Sequence, residues 1–232
     1  MKAKQSASTF GGHMVRLMAI FNLWMAATLG AAWAADDGAP VRIVAFGDSL
    51  TAGYMLKPSE AFPVQLADAL KAKGIKAEVT NAGVSGDTTA AGLERFDWAV
   101  PEGTEAVILE LGANDALRGI DPDETRKNLD QILTKLQDRK IAVLLAGMAA
   151  PKNWGKDYEA RFSKIYKDLA EKHGAILYPF FLEGVALDAK LNLQDGMHPT
   201  GGGIGVIVKG IMPQVEELIA RVREMRTTAS KT

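Results

Sequence analysis

A serine follows a short apolar segment near the start of the chain, in the stretch VRIVAFGDSLTAGY (41–54). Ser49 comes directly after Gly47 and Asp48, and the apolar residues before them have the pattern of a buried strand. Glycine and serine are common where a strand turns, so this position fits either an ordinary turn or a nucleophile. Thr51 replaces the second glycine of a G-x-S-x-G elbow, and no Gly-Lys pair follows as in a phosphate-binding loop. Whether Ser49 does chemistry therefore depends on what the rest of the chain supplies.

A serine nucleophile needs a base, and two histidines follow residue 34. His173 closes a helical pattern, as expected of a helix-terminal cation facing solvent. His198 lies in LQDGMHPTGGG, three residues after Asp195. A tight turn can bring the Asp195 carboxylate to one ring nitrogen of His198 and leave the other nitrogen free to take a proton from Ser49. The same spacing also fits ordinary turn chemistry, so both interpretations stay open on these residues alone.

Donors for a developing oxyanion are also present. Gly86 lies in NAGVSGDTT, in a loop before a helical pattern, where a backbone N–H is unobstructed and negative charge is favoured. Asn114 lies in LGANDALRG, and its side-chain amide can donate to an oxyanion. Each of them also fits a simple turn. We interpret Asp48 and Asp115 as structural residues that hold their loops through hydrogen bonds to nearby backbone N–H groups.

The elements that must position these residues alternate between two patterns from residue 41 onward. Short apolar segments, typical of strands, cover 41–46, 77–83, 106–112, 140–148 and 175–180. Helical spacing covers 60–73, a segment from 87, a segment from 121, 157–173, and a last one from about 202 into the 220s. Strands separated by helices predict right-handed crossovers and one five-stranded parallel sheet with helices on both faces. The fold class is therefore predicted as α/β, a three-layer αβα sandwich.

In such sheets ligands bind beyond the carboxyl ends of the strands. Ser49, Gly86 and Asn114 follow successive predicted strands, and Asp195 and His198 lie in the loop after the last one. Separate turns are thus expected to meet at one edge of the sheet, with every group that acyl transfer needs.

Composition limits the function further. Net charge is -1 with scattered Lys and Arg, so no basic stripe indicates a nucleic-acid partner. Cysteine is absent, which excludes disulfides, thiolate metal sites and cysteine nucleophiles. No cluster of His and carboxylates has metal-ligand spacing, so neither a metal nor a cofactor is expected. We predict one domain over 41–226, with a short lead at 35–40 and a frayed tail at 227–232.

The first 34 residues are predicted to be a secretory signal peptide. Lys2, Lys4 and Arg16 precede an apolar run, LMAIFNLWMAATLG, which ends in small residues and the A-x-A pattern of Ala32-Trp33-Ala34. The run is short for a membrane-spanning helix, although an uncleaved anchor is the alternative. Translation from Met14 would shorten the basic region without changing the prediction. We expect an exported protein, periplasmic or secreted, without stable membrane insertion after cleavage.

Five blocks of the sequence resemble the SGNH (GDSL) hydrolase family, most of all its periplasmic branch of thioesterases, lysophospholipases and arylesterases. The blocks are FGDSLTAGY, NAGVSGDTTAAGL, LELGANDALRG, GMAAPKNWGKDY and DGMHP, in the order of the family. The resemblance implies a flavodoxin-like αβα sandwich. It also implies that Ser49 is the nucleophile, that His198 is the base and that Asp195 orients His198. The oxyanion hole would then consist of the Ser49 and Gly86 N–H groups and the Asn114 side chain.

The expected activity is hydrolysis of carboxylic esters or thioesters, such as aryl esters, acyl thioesters or lysophospholipids, through an acyl-enzyme. Tyr54, Leu56, Trp154 and Tyr158 are candidates for the walls of the acyl cleft, although Trp154 and Tyr158 also fit the packing of a surface loop. Two alternatives remain: a polysaccharide O-acetyl esterase of the same fold, and an exported flavodoxin-like module that binds a ligand without turnover. The glycine run 201–203 departs from the family and is expected to weaken the start of the last helix, by up to ~1 kcal/mol per glycine.

Overall fold

The computed structural model describes residues 38–231, so the predicted signal peptide lies outside the described residues. A five-stranded sheet forms the centre of the fold, in the order β2-β1-β3-β4-β5, with every neighbouring pair parallel. The strands are β1 (Val41–Gly47), β2 (Ala77–Gly83), β3 (Ala106–Glu110), β4 (Ala142–Ala146) and β5 (Ile176–Tyr178). The predicted α/β class and the five-stranded parallel sheet are confirmed.

Helices connect the strands, as parallel pairing requires. They are α1 (Ser49–Ala52), α2 (Phe62–Ala72), α3 (Thr89–Glu94), α4 (Phe96–Ala99), α5 (Ala113–Arg118), α6 (Pro122–Asp138), α7 (Lys156–His173) and α8 (Gly201–Ala229). Short 3₁₀ turns cover Pro58–Glu60 and Lys152–Trp154. Helix α2 packs against α8, and α6 packs against α7, so both faces of the sheet are covered. In the described part of the chain, no helix combines the length and the apolar character needed to cross a membrane.

The register of the sheet brings three strand ends to one edge. Gly47, the last residue of β1, pairs with Gly83 at the end of β2 and with Glu110 at the end of β3. Because β1 lies between these two strands, the loops that follow all three begin side by side. This is why Ser49, Gly86 and Asn114, far apart in sequence, can share one site.

Burial follows the sequence pattern closely. Strands β3 and β4 are buried along their whole length, as expected of central parallel strands covered on both faces. Strand β2 lies at the edge of the sheet and alternates between half-buried and exposed residues. Helix α8 buries one apolar side, which includes Ile204, Ile207, Val208, Ile211, Val215, Leu218 and Val222.

Element ends differ from the sequence-based boundaries. Strand β4 is shorter than the predicted 140–148, since Lys140 has a positive φ of 55° and only Ala142–Ala146 pair. Helix α8 continues to Ala229, three residues beyond the predicted end of the domain at residue 226. There the hydroxyls of Thr227 and Thr228 donate to the carbonyls one turn back, which lets these residues continue the helix.

Candidate active site

Ser49 lies in the first turn of α1, directly beyond the end of β1. Asp48 forms the N-cap of this short helix, because its side chain accepts a hydrogen bond from the N–H of Leu50 at 3.0 Å. The serine is 9% exposed. Its hydroxyl lies 2.9 Å from Nε2 of His198, within hydrogen-bond distance. The structure therefore brings together the predicted nucleophile and base, which are 149 residues apart.

Asp195 and His198 form a compact pair within one turn. Asp195 Oδ2 lies 2.7 Å from Nδ1 of His198. Its other carboxylate oxygen accepts the backbone N–H groups of Met197 at 2.9 Å and His198 at 3.0 Å. These two backbone bonds and the side chain of His198 lower the pKa of Asp195 to about 2. The carboxylate is therefore ionised at neutral pH, and it favours a proton on Nδ1 of His198.

The loop that carries this pair is fastened to the segment before it. His198 O accepts the N–H of Leu193 at 2.7 Å, and Leu191 O accepts the N–H of Thr200 at 2.8 Å. Asn192 and Pro199 form an antiparallel bridge between the same two segments. His198 thus lies in a turn that is hydrogen-bonded to the segment before it.

The glycine run that begins α8 has a packing reason. A Cβ on Gly203 would lie 2.2 Å from the carbonyl oxygen of Leu191, and one on Gly201 would lie 3.0 Å from the Glu60 side chain. For Gly202 the nearest atom is the Thr200 hydroxyl, at 3.7 Å. Gly203 therefore lets the helix start approach the segment that pairs with the His198 turn, and Gly201 lets it approach the 3₁₀ turn that ends at Glu60.

The candidate oxyanion donors Gly86 and Asn114 follow the two strands that flank β1. Gly86 has φ +88°, a conformation that favours glycine, and it precedes α3 by a short turn. Among residues 38–231, neither the N–H of Ser49 nor that of Gly86 has a hydrogen-bond acceptor. Asn114, in the first turn of α5, is placed differently. Its Nδ2 donates to Asp48 Oδ2 at 3.0 Å and to the Asp87 carbonyl at 2.9 Å.

Two buried acids lie behind this edge. Asp48 and Glu110 are both fully buried, and burial raises the pKa of Asp48 to about 6. Burial raises the pKa of Glu110 well above its usual range, and the negative charge of Asp48 raises it further. Sequence reasoning assigned Asp48 only a loop-holding role and overlooked Glu110. The available signal was a single charged residue at the end of the otherwise apolar strand AVILE.

Asp115 has the structural role predicted for it. It is fully buried, and Oδ2 accepts the N–H of Thr89 at 2.8 Å while Oδ1 accepts the Thr89 hydroxyl at 2.5 Å. These two bonds tie the start of α3 to α5.

The predicted solvent-facing position of His173 is wrong. Its side chain is 6% exposed and its Nε2 lies 2.5 Å from Asp130 Oδ1, because α6 packs over the end of α7.

The four residues predicted to line a substrate cleft separate into two groups. The Tyr54 ring lies 4.6 Å, centre to centre, from the imidazole of His198, and Leu56 packs partly buried against the core. Trp154 Nε1 instead donates to the Ala116 carbonyl, and the Tyr158 hydroxyl donates to the Ile120 carbonyl, each at 2.8 Å. Trp154 and Tyr158 thus fasten α5 and its C-terminal end, which is the loop-packing alternative left open by the sequence.

A covered parallel sheet with a serine, a histidine and a carboxylate meeting at its carboxyl edge is an arrangement suited to ester hydrolysis. The sequence profile of the GDSL-like Lipase/Acylhydrolase family matches residues 45–203. The chain belongs to this family of SGNH hydrolases and acts on ester bonds.

Relatives of known name agree with this assignment. The chain is 38% identical to an arylesterase of Vibrio mimicus, over 71% of this chain and 83% of the relative. It is 36% identical to thioesterase 1/protease 1/lysophospholipase L1 of Escherichia coli K12, over 76% of this chain and 84% of the relative. Among solved structures, the SGNH-hydrolase family esterase AlinE4 is 49% identical, with a TM-score of 0.66 over 78% of this chain and 98% of that one. TesA is 34% identical, with a TM-score of 0.72 over 76% and 99%.

Proposed function

We propose that the protein is a serine esterase and thioesterase in which Ser49, His198 and Asp195 act as a catalytic triad. The observation that carries the proposal is the unbroken hydrogen-bond chain from the Ser49 hydroxyl to His198, 2.9 Å, and from His198 to Asp195, 2.7 Å. Each distance is within the range required between a nucleophile, its base and the group that orients the base.

The reaction follows from these positions. Ser49 Oγ attacks the acyl carbon while Nε2 of His198 takes its proton. Asp195 keeps a proton on Nδ1, which leaves Nε2 unprotonated before the attack, and it stabilises the imidazolium that forms. His198 then gives the proton to the leaving alcohol or thiol, and a water molecule releases the acyl group from Ser49 by the same steps.

Three donors are proposed for the tetrahedral oxyanion: the N–H groups of Ser49 and Gly86 and the side-chain amide of Asn114. The first two have no acceptor among the described residues. Both hydrogens of the Asn114 amide already have acceptors, so Asn114 contributes by sharing one of them with the substrate oxygen. Asn114 therefore depends on its neighbours for its orientation.

The proposed substrates are aryl esters, acyl thioesters and lysophospholipids. The names of the relatives support this class, since they include an arylesterase and a thioesterase/lysophospholipase. Exposed apolar side chains next to the base also support it, because Tyr54 lies against His198 and Met197 precedes it in the chain. Apolar contacts there suit an acyl chain or an aryl leaving group.

A chain-length series of 4-nitrophenyl esters tests this proposal. We expect hexanoyl and longer esters to be hydrolysed with higher kcat/KM than the acetyl ester, whereas a polysaccharide O-acetyl esterase would prefer acetyl. Ser49→Ala should abolish turnover, while Ser163→Ala, an exposed serine on α7, should retain it. A folded Ser49→Ala variant with the activity of the wild type would overturn the proposal.

We also propose that the protein is exported, on the basis of the N-terminal sequence pattern. Expression of the full chain in a bacterium with a periplasm, followed by N-terminal sequencing, tests this. The mature protein should begin at Ala35 and appear in the periplasmic or extracellular fraction. A cytoplasmic protein that keeps its first 34 residues would contradict the proposal.

A further inference from the structure

Two carboxyl side chains share a buried space beneath the nucleophile. Asp48 follows β1 and Glu110 ends β3, and both are fully buried. Oε2 of Glu110 accepts the hydroxyl of Thr51 at 2.7 Å and the N–H of Asp48 at 3.3 Å. Oε1 of Glu110 has no partner in the described part of the chain. A carboxylate there would leave half of its charge without any hydrogen bond.

No cation compensates Glu110 within residues 38–231, since no ion pair involves it. Arg95, one of the cations near this edge, pairs with Asp87 at 2.5 Å and donates to the Gly47 carbonyl at 2.9 Å, and its Nη1 has no hydrogen-bond partner among the described residues. Burying a carboxylate without a cation or a full set of hydrogen-bond donors is strongly unfavourable, so such a group normally keeps its proton.

The other groups around the pair do not change this conclusion. Asp48 adds negative charge beside Glu110, and the buried hydroxyl of Tyr166 and the buried carboxylate of Asp115 add no cation. On the side of the substrate, Asp87 disfavours the charge of Asp48 and His198 favours it. Of the two acids, Glu110 is therefore the one that retains a proton most strongly.

Asp48, in contrast, has the partners of a carboxylate. Oδ1 accepts the N–H of Leu50 at 3.0 Å, and Oδ2 accepts Nδ2 of Asn114 at 3.0 Å. Burial raises the pKa of Asp48 and these hydrogen bonds lower it, and the resulting pKa is about 6. Asp48 is therefore still ionised at neutral pH. A charged acceptor holds an amide donor more firmly than a neutral one does.

We propose that Glu110 carries a proton at neutral pH, that Asp48 beside it stays ionised, and that Asp48 is the positioning residue which holds the Asn114 amide at the oxyanion site. The inference rests on the proposed function only for the role of Asn114. The proton of Glu110 and the bond between Asp48 and Asn114 are properties of the resting protein.

Infrared spectroscopy tests the proton on Glu110 without an activity measurement. A protonated carboxyl group has a carbonyl stretch separate from that of carboxylates. At pH 7 the wild type should show this band, and ¹³C labelling of the glutamate carboxyl carbons should shift it. The band should be lost in Glu110→Gln and kept in Glu171→Gln, whose side chain is 69% exposed. Absence of a protonated glutamate band in the wild type overturns the proposal, whether or not Glu110→Gln folds.

Side-chain NMR of Asn114 tests the second part. The Asn114 amide resonances should titrate with a midpoint near the pKa of Asp48, which burial raises to about 6. The titration should persist in His198→Ala, which lacks the imidazole beside the serine, and it should disappear in Asp48→Asn. Asparagine is as good an N-cap as aspartate, so this variant preserves the start of α1. Amide resonances that do not change with pH in His198→Ala overturn the role of Asp48.

Kinetics distinguishes positioning from a general structural effect. Asp48→Asn should lower kcat by about 10-fold with little change in KM, since a lost charged hydrogen bond is of that order. In an Asn114→Ala background the same substitution should lower kcat by less than about 2-fold, because the residue that it orients is absent. An equal loss in both backgrounds overturns the proposal. If Asn114→Ala alone retained full activity, the oxyanion role would fail, while the two spectroscopic results would still stand.

Discussion

Ser49 and its neighbours are buried and are held by contacts between distant parts of the chain, whereas Asp195 and His198 lie in a partly exposed turn held by local contacts. Around the serine, the bonds of Asp48 to Glu110 and to Asn114 span 62 and 66 residues. Around the base, all three bonds that Asp195 accepts come from within three residues. We call the first group the nucleophile side and the second the base side.

The two sides are held in position by different kinds of contact. The nucleophile side depends on the sheet, since the register that aligns Gly47 with Glu110 also sets where Asp48 and Asn114 meet. The base side depends on one turn and on its attachment to Leu191 and Leu193. Substitutions on the base side should therefore change chemistry with little loss of stability, and those on the nucleophile side should change both.

Asp195→Asn should have the largest effect on activity. The amide would donate to Nδ1 of His198 and place the proton on Nε2, where it faces Ser49, so kcat should fall by roughly 10⁴-fold. Oδ1 would still accept its two backbone N–H groups, so the melting temperature at neutral pH should fall by no more than a few degrees. Steady-state kinetics and calorimetry check both parts. A variant within 10-fold of the wild-type kcat would mean that Asp195 does not orient the base.

Asn114→Ala should lower kcat by roughly 10²–10³-fold, the usual effect of removing one oxyanion donor. It should also destabilise the protein, because the buried Oδ2 of Asp48 loses its partner. Kinetics and thermal unfolding of the same preparation measure the two effects together. Unchanged stability alongside the expected loss of kcat would contradict the predicted coupling on the nucleophile side.

The glycines at 202 and 203, next to the base side, allow two alanine substitutions to be compared. Gly203→Ala should destabilise the protein by about 1–3 kcal/mol, because its methyl group would meet the Leu191 carbonyl. Gly202→Ala, with open space around it, should stabilise α8 by up to about 1 kcal/mol and leave activity intact. Denaturant unfolding compares the two. Equal effects of the two substitutions would show that the close approach of Gly203 is not a constraint.

Acid should affect the stability of the two sides in opposite directions. The pKa of Asp195 is lowered to about 2, so its contribution is present above the unfolded value of 3.8 and is lost as pH falls towards 2. Burial raises the pKa of Asp48 to about 6, so its ionisation costs stability as pH rises from 3.8 through 6. The melting temperature of Asp195→Asn relative to the wild type should fall as pH rises from 2 to 4.

For Asp48→Asn, the melting temperature relative to the wild type should rise between pH 4 and 7. Both shifts should amount to a few degrees, and Asp195 should give the smaller one because it is partly exposed. Parallel pH series for the two variants provide the measurement. Shifts of the same sign would contradict the contrast between a buried acid and a hydrogen-bonded surface carboxylate.

The base side was predictable from sequence because its interactions are local. The spacing of Asp195 and His198, with a turn between them, already limits how they can meet. The sheet was predictable for a similar reason, since each apolar segment forms one strand whose burial depends on its own composition. The predicted strand ends also placed Ser49, Gly86 and Asn114 at one edge.

The nucleophile side was predictable only in outline. Nothing adjacent to Glu110 indicates that it lies against Asp48, because the pairing depends on the register of β1 and β3. For Trp154 the sequence left two interpretations open, a wall of the substrate cleft and the packing of a surface loop. The Trp154 indole donates to Ala116, 38 residues away, a contact that the pattern of either segment does not show.

Labelling with a fluorophosphonate tests the central claim most directly, since the reagent forms a stable adduct with an activated serine. Mass spectrometry of the digested protein should find one adduct, on the peptide that contains Ser49. The reaction should be lost in Ser49→Ala and be greatly slowed in His198→Ala, and Ser163→Ala should label like the wild type. An adduct on another residue, or equal labelling rates in the wild type and in folded His198→Ala, would contradict activation of Ser49 by His198.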